Sequence, residues 1–149
     1  ILCEQGEFVI NLTSAKLIRA ADFCGARTGA KIDKFAALSL HKESCAAVSC
    51  PGIAESPLQI ACKVKQRIPL GSHDMFLAEI ASIQVDDALL DESGKLCLER
   101  AHLAAYAHGD YYELGKRLGS FGFAVRKKKK FQHKKESHHV NKRSRSALS

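Results

Sequence analysis

Three stretches of this 149-residue chain predict a mainly β fold, a barrel-like or α+β arrangement of strands with short helices set between them. Residues 6–12 (GEFVINL) cluster β-formers behind a glycine. Residues 57–65 (PLQIACKVK) put Leu58, Ile60, Cys62 and Val64 at alternate positions, the period of a half-buried strand. Residues 68–85 (IPLGSHDMFLAEIASIQV) pass through a Pro-Leu-Gly turn signal and a polar Ser-His-Asp corner into a long strand-like run. No regular strand–helix–strand alternation appears, so a doubly wound parallel sheet is not expected.

The remaining elements follow in order. Ile1 to Gln5 reads as the last turn of a helix stopped by Gly6. Asn11 to Ser14 supplies capping residues for a helix over 15–24, with Leu17, Ile18, Ala21 and Phe23 near helical spacing and Gly25 as its expected stop. Asp33 caps a second short helix through Leu38. Residues 39–55, with Pro51 and Gly52, read as mostly irregular with one short strand. After the strand ending at Val85, DESGK marks a turn, Leu96 and Leu98 suggest a very short element, and 101–108 suits either a strand or a helical turn. Residues 109–115 read as an aromatic loop bracketed by glycines.

With 46% hydrophobic residues, one domain of this size can bury a substantial core, roughly 70% of its unfolded surface. The net charge of +7 is unevenly placed. Residues 126–149 hold 10 of the 23 basic residues and 1 of the 16 acidic ones, which leaves 13 basic and 15 acidic before them. The body is therefore slightly acidic, and the basic character belongs to an appendage. The expected division is a folded domain over 1–125 and a basic, disordered tail over 126–149.

Six cysteines (Cys3, Cys24, Cys45, Cys50, Cys62, Cys97) show neither a C-x-x-C pair nor a tight framework spacing. That pattern favours reduced thiols packed as small hydrophobes in a reducing, cytoplasmic setting, and argues against a thiolate zinc site. No run approaches the roughly 18 apolar residues of a membrane span. There is no G-x-S-x-G elbow, phosphate-binding P-loop, H-E-x-x-H or G-x-G-x-x-G, so a dinucleotide would not be held in the Rossmann manner.

Three segments in order, GEFVINLTSAKLIRAADFCGARTGAKIDKF, AESPLQIACKVKQRIPLGSHDMFLAEIASIQVDDALLDESGK and LAAYAHGDYYELGKRLGSFGFAVRKK, resemble the flavin reductase-like family of FMN-binding split barrels, its flavoredoxin-like branch in particular. The resemblance runs from Ile1 to about Lys128. It implies a split β-barrel, a homodimer and FMN near the subunit interface. It also implies opening strands and a phosphate-contacting segment ahead of Ile1, so the barrel is expected to be incomplete at its N-terminus. The implied chemistry is passage of electrons from NAD(P)H to flavin, in which the cofactor carries the reaction and the protein aligns the rings. No catalytic side chain is demanded.

The resemblance places candidate cofactor-binding residues at Asn11, Leu12, Thr28, Gly29, Asp33, Lys34 and Phe35. Asn11 and Leu12 stand where a strand gives way to a helix, a place where backbone N–H groups can meet a ring or phosphate; the plain alternative is that Asn11 begins the helix cap. Gly29 permits close backbone approach, Lys34 offers positive charge and Phe35 a ring, set against ordinary loop charge and one core phenylalanine. Candidate substrate-binding residues are His73, Asp74, Tyr106, His108 and Tyr111. His73 can meet a nicotinamide carboxamide or the flavin edge with Asp74 fixing its tautomer, or the corner is only a turn. The tyrosines, with Tyr112, suit either a ring-shaped ligand's pocket or a dimer interface.

The tail has two readings, a tether for nucleic acid or anionic membrane and an extension with no role. His133, His138 and His139 lack cysteine or carboxylate partners at ligand spacing, so no metal site is expected. Three functions of different class remain: an NAD(P)H-dependent flavin reductase, a flavoredoxin-type FMN carrier reduced by a protein partner, and a non-catalytic relative whose basic tail binds nucleic acid.

Overall fold

The computed structural model describes residues 2–126. A short helix α1 (Leu2–Gln5) ends at Gly6, whose φ of 68° is the left-handed stop that glycine adopts without strain, and its N–H donates to the Leu2 carbonyl at 3.1 Å. Strand β1 (Glu7–Asn11) leads to a turn of 3-10 helix (Ala15–Leu17) that continues into α2 (Ile18–Ala26). Helix α3 (Lys34–Leu38) starts at Asp33, whose carboxylate accepts from the Phe35 and Ala36 N–H groups at 3.0 and 3.2 Å, as its sequence position predicts. Two-residue strands β2 (Lys42–Glu43) and β3 (Gly52–Ile53) pair with each other. The long strands β4 (Leu58–Pro69) and β5 (Asp74–Val85) form an antiparallel hairpin, and β6 (Ala104–Ala107) and β7 (Asp110–Glu113) form another.

The order β1–β4–β5 makes one three-stranded antiparallel sheet. Only the first half of the β4–β5 hairpin belongs to it. β1 pairs with Gln59 to Lys63, and Lys65 to Pro69 with their β5 partners run on as a two-stranded ribbon. Register irregularities at Ala61/Cys62 and Val64/Gln66 interrupt the ladder. Each inserts an extra residue in one strand and bends it. The extra residues are Ala81 in β5 and Lys65 in β4, so side chains from Leu58 to Val64 keep their alternation, but burial does not follow it: Leu58, Gln59, Ala61 and Cys62 are all buried.

The two sheet faces differ. On one, Gln59 and Ala61 are covered by the segment carrying β2 and β3. The Gln59 carboxamide donates to the Ile53 carbonyl at 3.0 Å and to Glu43, and accepts from the buried Cys45 thiol at 3.5 Å. Gly52 lies so close that a Cβ there would overlap the Gln59 side chain. On the other face Ile10, Ile60 and Ile83 stand in register across all three strands, and Phe8, Cys62 and Ile80 form a second row. Ile80 and Ile83 are 57% and 55% exposed, an open apolar face.

Three local expectations change. Gly25 lies inside α2, which runs on to Ala26 before Arg27 turns extended. Residues 39–55 hold two short strands rather than one. The aromatic loop at 109–115 is largely strand: His108 and Gly109, at φ 52° and 94°, form a two-residue turn between β6 and β7. The cysteines are free thiols, with Cys45 and Cys62 buried as packing residues.

By its contacts the chain divides after Arg117. The described part of the second unit, Leu118 to Arg126, is a short 3-10 turn (Phe123–Val125) in which the Phe123 ring lies over Gly119. The basic residues from Lys127 onward, with His133, His138 and His139, lie outside the described residues.

Candidate functional site

Helix α2 is the element around which most of the candidate residues gather. One cavity of about 150 Å³ lies on its inner side, lined by Asn11, Thr13, Leu17, Ala21, Cys24 and Ile53 among others. A second, about 220 Å³, lies between the helix and the β6–β7 hairpin and is lined by Thr13, Ile18, Ala21, Ala104, Tyr106 and Tyr111 among others. Thr13 and Ala21 border both. The hairpin's root is fixed by backbone bonds, Ala104 N–H to the Thr13 carbonyl and Ala15 N–H to the His102 carbonyl, each 2.8 Å. Further out, the Tyr111 hydroxyl donates to the Asp22 carboxylate on α2 at 2.9 Å. That bond holds the phenol protonated and raises its pKa above the ordinary tyrosine value.

The cofactor candidates are brought near one another but are partly committed. The Asn11 side chain does not cap the helix. Its oxygen accepts from the Ile53 N–H at 2.9 Å and its nitrogen donates to the Val9 carbonyl at 3.3 Å, which bolts β3 to β1. Leu12 is fixed through its backbone, its N–H donating to the Leu58 carbonyl and its carbonyl accepting from the Ser56 hydroxyl. Ser14, the residue before the 3-10 turn, makes no side-chain cap. Thr28 and Gly29 sit in the exposed turn between α2 and α3, where the Thr28 hydroxyl accepts from the Ala30 N–H at 3.3 Å. Lys34 reaches back to the Cys24 carbonyl at 2.6 Å, placing its charge at the C-terminal end of α2, where the helix dipole favours a cation. Asp33 is spent as the α3 cap, and the Phe35 ring lies 5.3 Å from the Lys42 ammonium.

The substrate candidates divide. Tyr106 and Tyr111 face each other across the β6–β7 ladder with ring centroids 5.1 Å apart and planes tilted by 58°. Tyr106 is 67% exposed, which leaves ring surface open beside the second cavity. His108 sits at the hairpin turn. His73 and Asp74 are elsewhere, at the far tip of the β4–β5 ribbon. There the His73 carbonyl accepts from the Leu70 N–H at 2.8 Å, His73 Nδ1 pairs with the Ser72 hydroxyl at 2.9 Å, and Asp74 pairs with Arg67 at 2.9 Å. Asn11 lies at the other end of β4, so the structure does not join His73 and Asp74 to the residues around α2.

Sequence reasoning put Thr13 in the capping stretch and Ala21 at helical spacing but gave no site role to Thr13, Ala21 or Asp22. The first two are small residues whose value is their position, and Asp22 meets a partner 89 residues away, for which no local pattern exists. The His108-Gly109 pair was a usable signal for the hairpin. Among the described residues no group of three or more His, Cys, Asp or Glu side chains is placed to hold a metal, and no helix is long and apolar enough to cross a membrane.

Comparison with known proteins decides the kinship: the flavin reductase like domain family matches residues 1–115. The chain belongs to that family. Among solved structures it is similar to flavoredoxin of Desulfovibrio vulgaris (Miyazaki F), at 29% identity and a TM-score of 0.77 over 84% of this chain and 68% of that one. It is similar in fold to flavoredoxin from Methanosarcina acetivorans, at 22% identity and a TM-score of 0.71 over 84% and 68% of the two chains. It is also similar in fold to an FMN-binding domain of a flavin reductases-like enzyme from Shewanella baltica, at 20% identity and a TM-score of 0.63 over 80% and 65%. A protein from Archaeoglobus fulgidus, itself without an assigned function, is 31% identical over 61% of this chain. The flavin reductase-like chain spans about half the length of that relative, 51%, and 54% of one from Aquifex aeolicus. The fold is thus the split barrel of this family, mainly β with short helices, and the described residues contribute one three-stranded sheet and two ribbons to it.

Proposed function

We propose that this chain binds FMN and serves as a flavin reductase-like oxidoreductase, taking electrons from NAD(P)H. The observation that carries the reading is the cavity between α2 and the β6–β7 hairpin, bordered by the exposed Tyr106 and its partner Tyr111. An aromatic wall beside small residues, Ala21, Ala104 and Ala105, suits a planar ring, and tyrosine adds a polar tip. Thr13, between this cavity and its neighbour, offers a hydroxyl to the polar end of such a ligand. The residues present fit a flavin on that side of the molecule. Asn11 and Asp33 act in this reading as supports, since their side chains already hold β3 and α3. When bound, FMN supplies the hydride and electron chemistry; the chain binds the ring, orients it and limits water around it.

The wider reading is a homodimer in the cytoplasm, with residues 1–125 as the flavin domain and the basic tail as a separate appendage. The free state of all six cysteines accords with a reducing compartment. A flavoredoxin-type carrier, reduced by a protein rather than by a nicotinamide, is the second reading, favoured by the similarity to the Desulfovibrio flavoredoxin. Titrating the purified chain with FMN while following flavin absorbance and emission tests the shared claim, and saturable quenching is expected. Oxidation of NAD(P)H by the loaded protein then selects the reductase, and inertness selects the carrier. No spectral change at any FMN concentration refutes both.

A further inference from the structure

The hairpin β6–β7 is rooted at Thr13–Ala15 by backbone bonds, yet its outer part meets α2 through a side-chain bond between Tyr111 and Asp22. Asp22 adjoins Ala21, which borders both cavities, and Tyr111 is the ring that packs on Tyr106. The width of the second cavity is therefore set at one side by a rigid backbone junction and at the other by a single charge-assisted hydrogen bond. Both partners are surface residues, so the fold does not need this bond to bury anything.

We infer that Asp22 is a positioning residue for the ring-binding cavity: through Tyr111 it fixes the Tyr106–Tyr111 pair at the distance from α2 at which a planar heteroaromatic ring can lie against them. The inference rests on the flavin reading above and names a residue outside every candidate drawn from the sequence. The chemistry is shared by two sources, the isoalloxazine of the flavin and the nicotinamide of a reductant. Asp22 touches neither. It accepts the Tyr111 proton donor and leaves the ring faces free.

The test uses the full chain with FMN as the probe, followed by NADPH oxidation at saturating FMN. Asp22→Ala and Tyr111→Phe should each weaken ring binding roughly tenfold, the size expected for losing one hydrogen bond to a charged group. The double variant should be no worse than either alone, because both remove one bond. Asp22→Asn keeps an acceptor oxygen and should restore binding. The loss appears as a raised FMN Kd with less quenching if the ring is the flavin's, or as a raised KM for NADPH at unchanged kcat if it is the nicotinamide's. A merely structural aspartate would change thermal stability without moving either constant or responding to the Asn rescue. Wild-type chain that binds FMN, with Asp22→Ala matching it in both constants, overturns this inference and leaves the flavin reading standing. Wild-type chain that binds no FMN removes both.

Discussion

Asn11 and Asp74 stand at opposite ends of β4: Asn11 lies across the sheet from Gln59, while Asp74 pairs with Pro69 ten residues further along. At a strand rise of about 3.3 Å per residue, roughly 33 Å of chain separates the two positions. Replacing His73 or Asp74 with alanine should therefore leave the FMN affinity of the chain within about twofold, and removing the exposed, solvent-screened Arg67–Asp74 pair should leave the urea midpoint almost unchanged. Flavin titration and urea denaturation of His73→Ala and Asp74→Ala check this. A tenfold loss of affinity in either would show that the ribbon tip reaches a flavin by some other route.

Gly52 is held by close approach rather than by backbone angle. An alanine there would displace the Gln59 carboxamide from its bonds to Ile53 and Glu43. Gln59 is 3% exposed, so its freed polar atoms would lack water. A loss of about 1–3 kcal/mol in unfolding free energy is expected for Gly52→Ala. Shortening the partner as well, in Gly52→Ala with Gln59→Ala, should make the combined cost less than the sum of the two single costs. Additive costs would place the damage elsewhere.

Asp33 caps α3 with two backbone bonds from an exposed position. Asp33→Ala should cost about 1 kcal/mol and Asp33→Asn much less, since asparagine caps comparably well. Faster amide exchange confined to residues 33–38 in the alanine variant is the accompanying signature.

The loop before β3 has an acid-sensitive fastening. The Ser49 hydroxyl and N–H both donate to the Glu7 carboxylate, and these bonds hold its pKa below the ordinary glutamate value. Because the folded-state pKa is depressed, the contribution is present above the unfolded pKa and is lost as pH falls through the folded one. Acid unfolding of wild type should thus be steeper than that of Glu7→Gln below the usual carboxylate range, with the two curves parallel at neutral pH. Identical curves throughout would show that the fastening contributes nothing.

Much of the framework was readable from local chemistry. Asp33 ahead of an apolar quartet gave the α3 cap, Gly6 gave the end of α1, and the β-formers of β1, β4 and β5 gave the three sheet strands. The burial of Gln59 and Ala61 on the second face of β4 was not readable, because alternation assumes that this face meets water, whereas Glu43, Cys45 and Ile53 are brought onto Gln59 by the segment carrying β2 and β3; the irregularities at Ala61/Cys62 and Val64/Gln66 likewise depend on how β5 pairs with β4. The β6–β7 hairpin was obscured by Ala104, Ala105 and Ala107, which carry little strand preference, and its His-Gly turn was passed over. At the site, residue types were legible but their engagements were not. That the Asn11 amide is taken up by Ile53, and the Lys34 ammonium by Cys24, depends on segments meeting across tens of residues or across a helix end.

The isoleucine face of the sheet has a practical corollary. Wherever nothing lies over Ile10, Ile80 and Ile83, those side chains meet water, and the attraction between two such surfaces weakens on cooling and strengthens in sulfate or phosphate. The chain should accordingly stay dispersed best in the cold and in salts of low salting-out power. Warming short of unfolding should cloud a concentrated solution while leaving every strand intact.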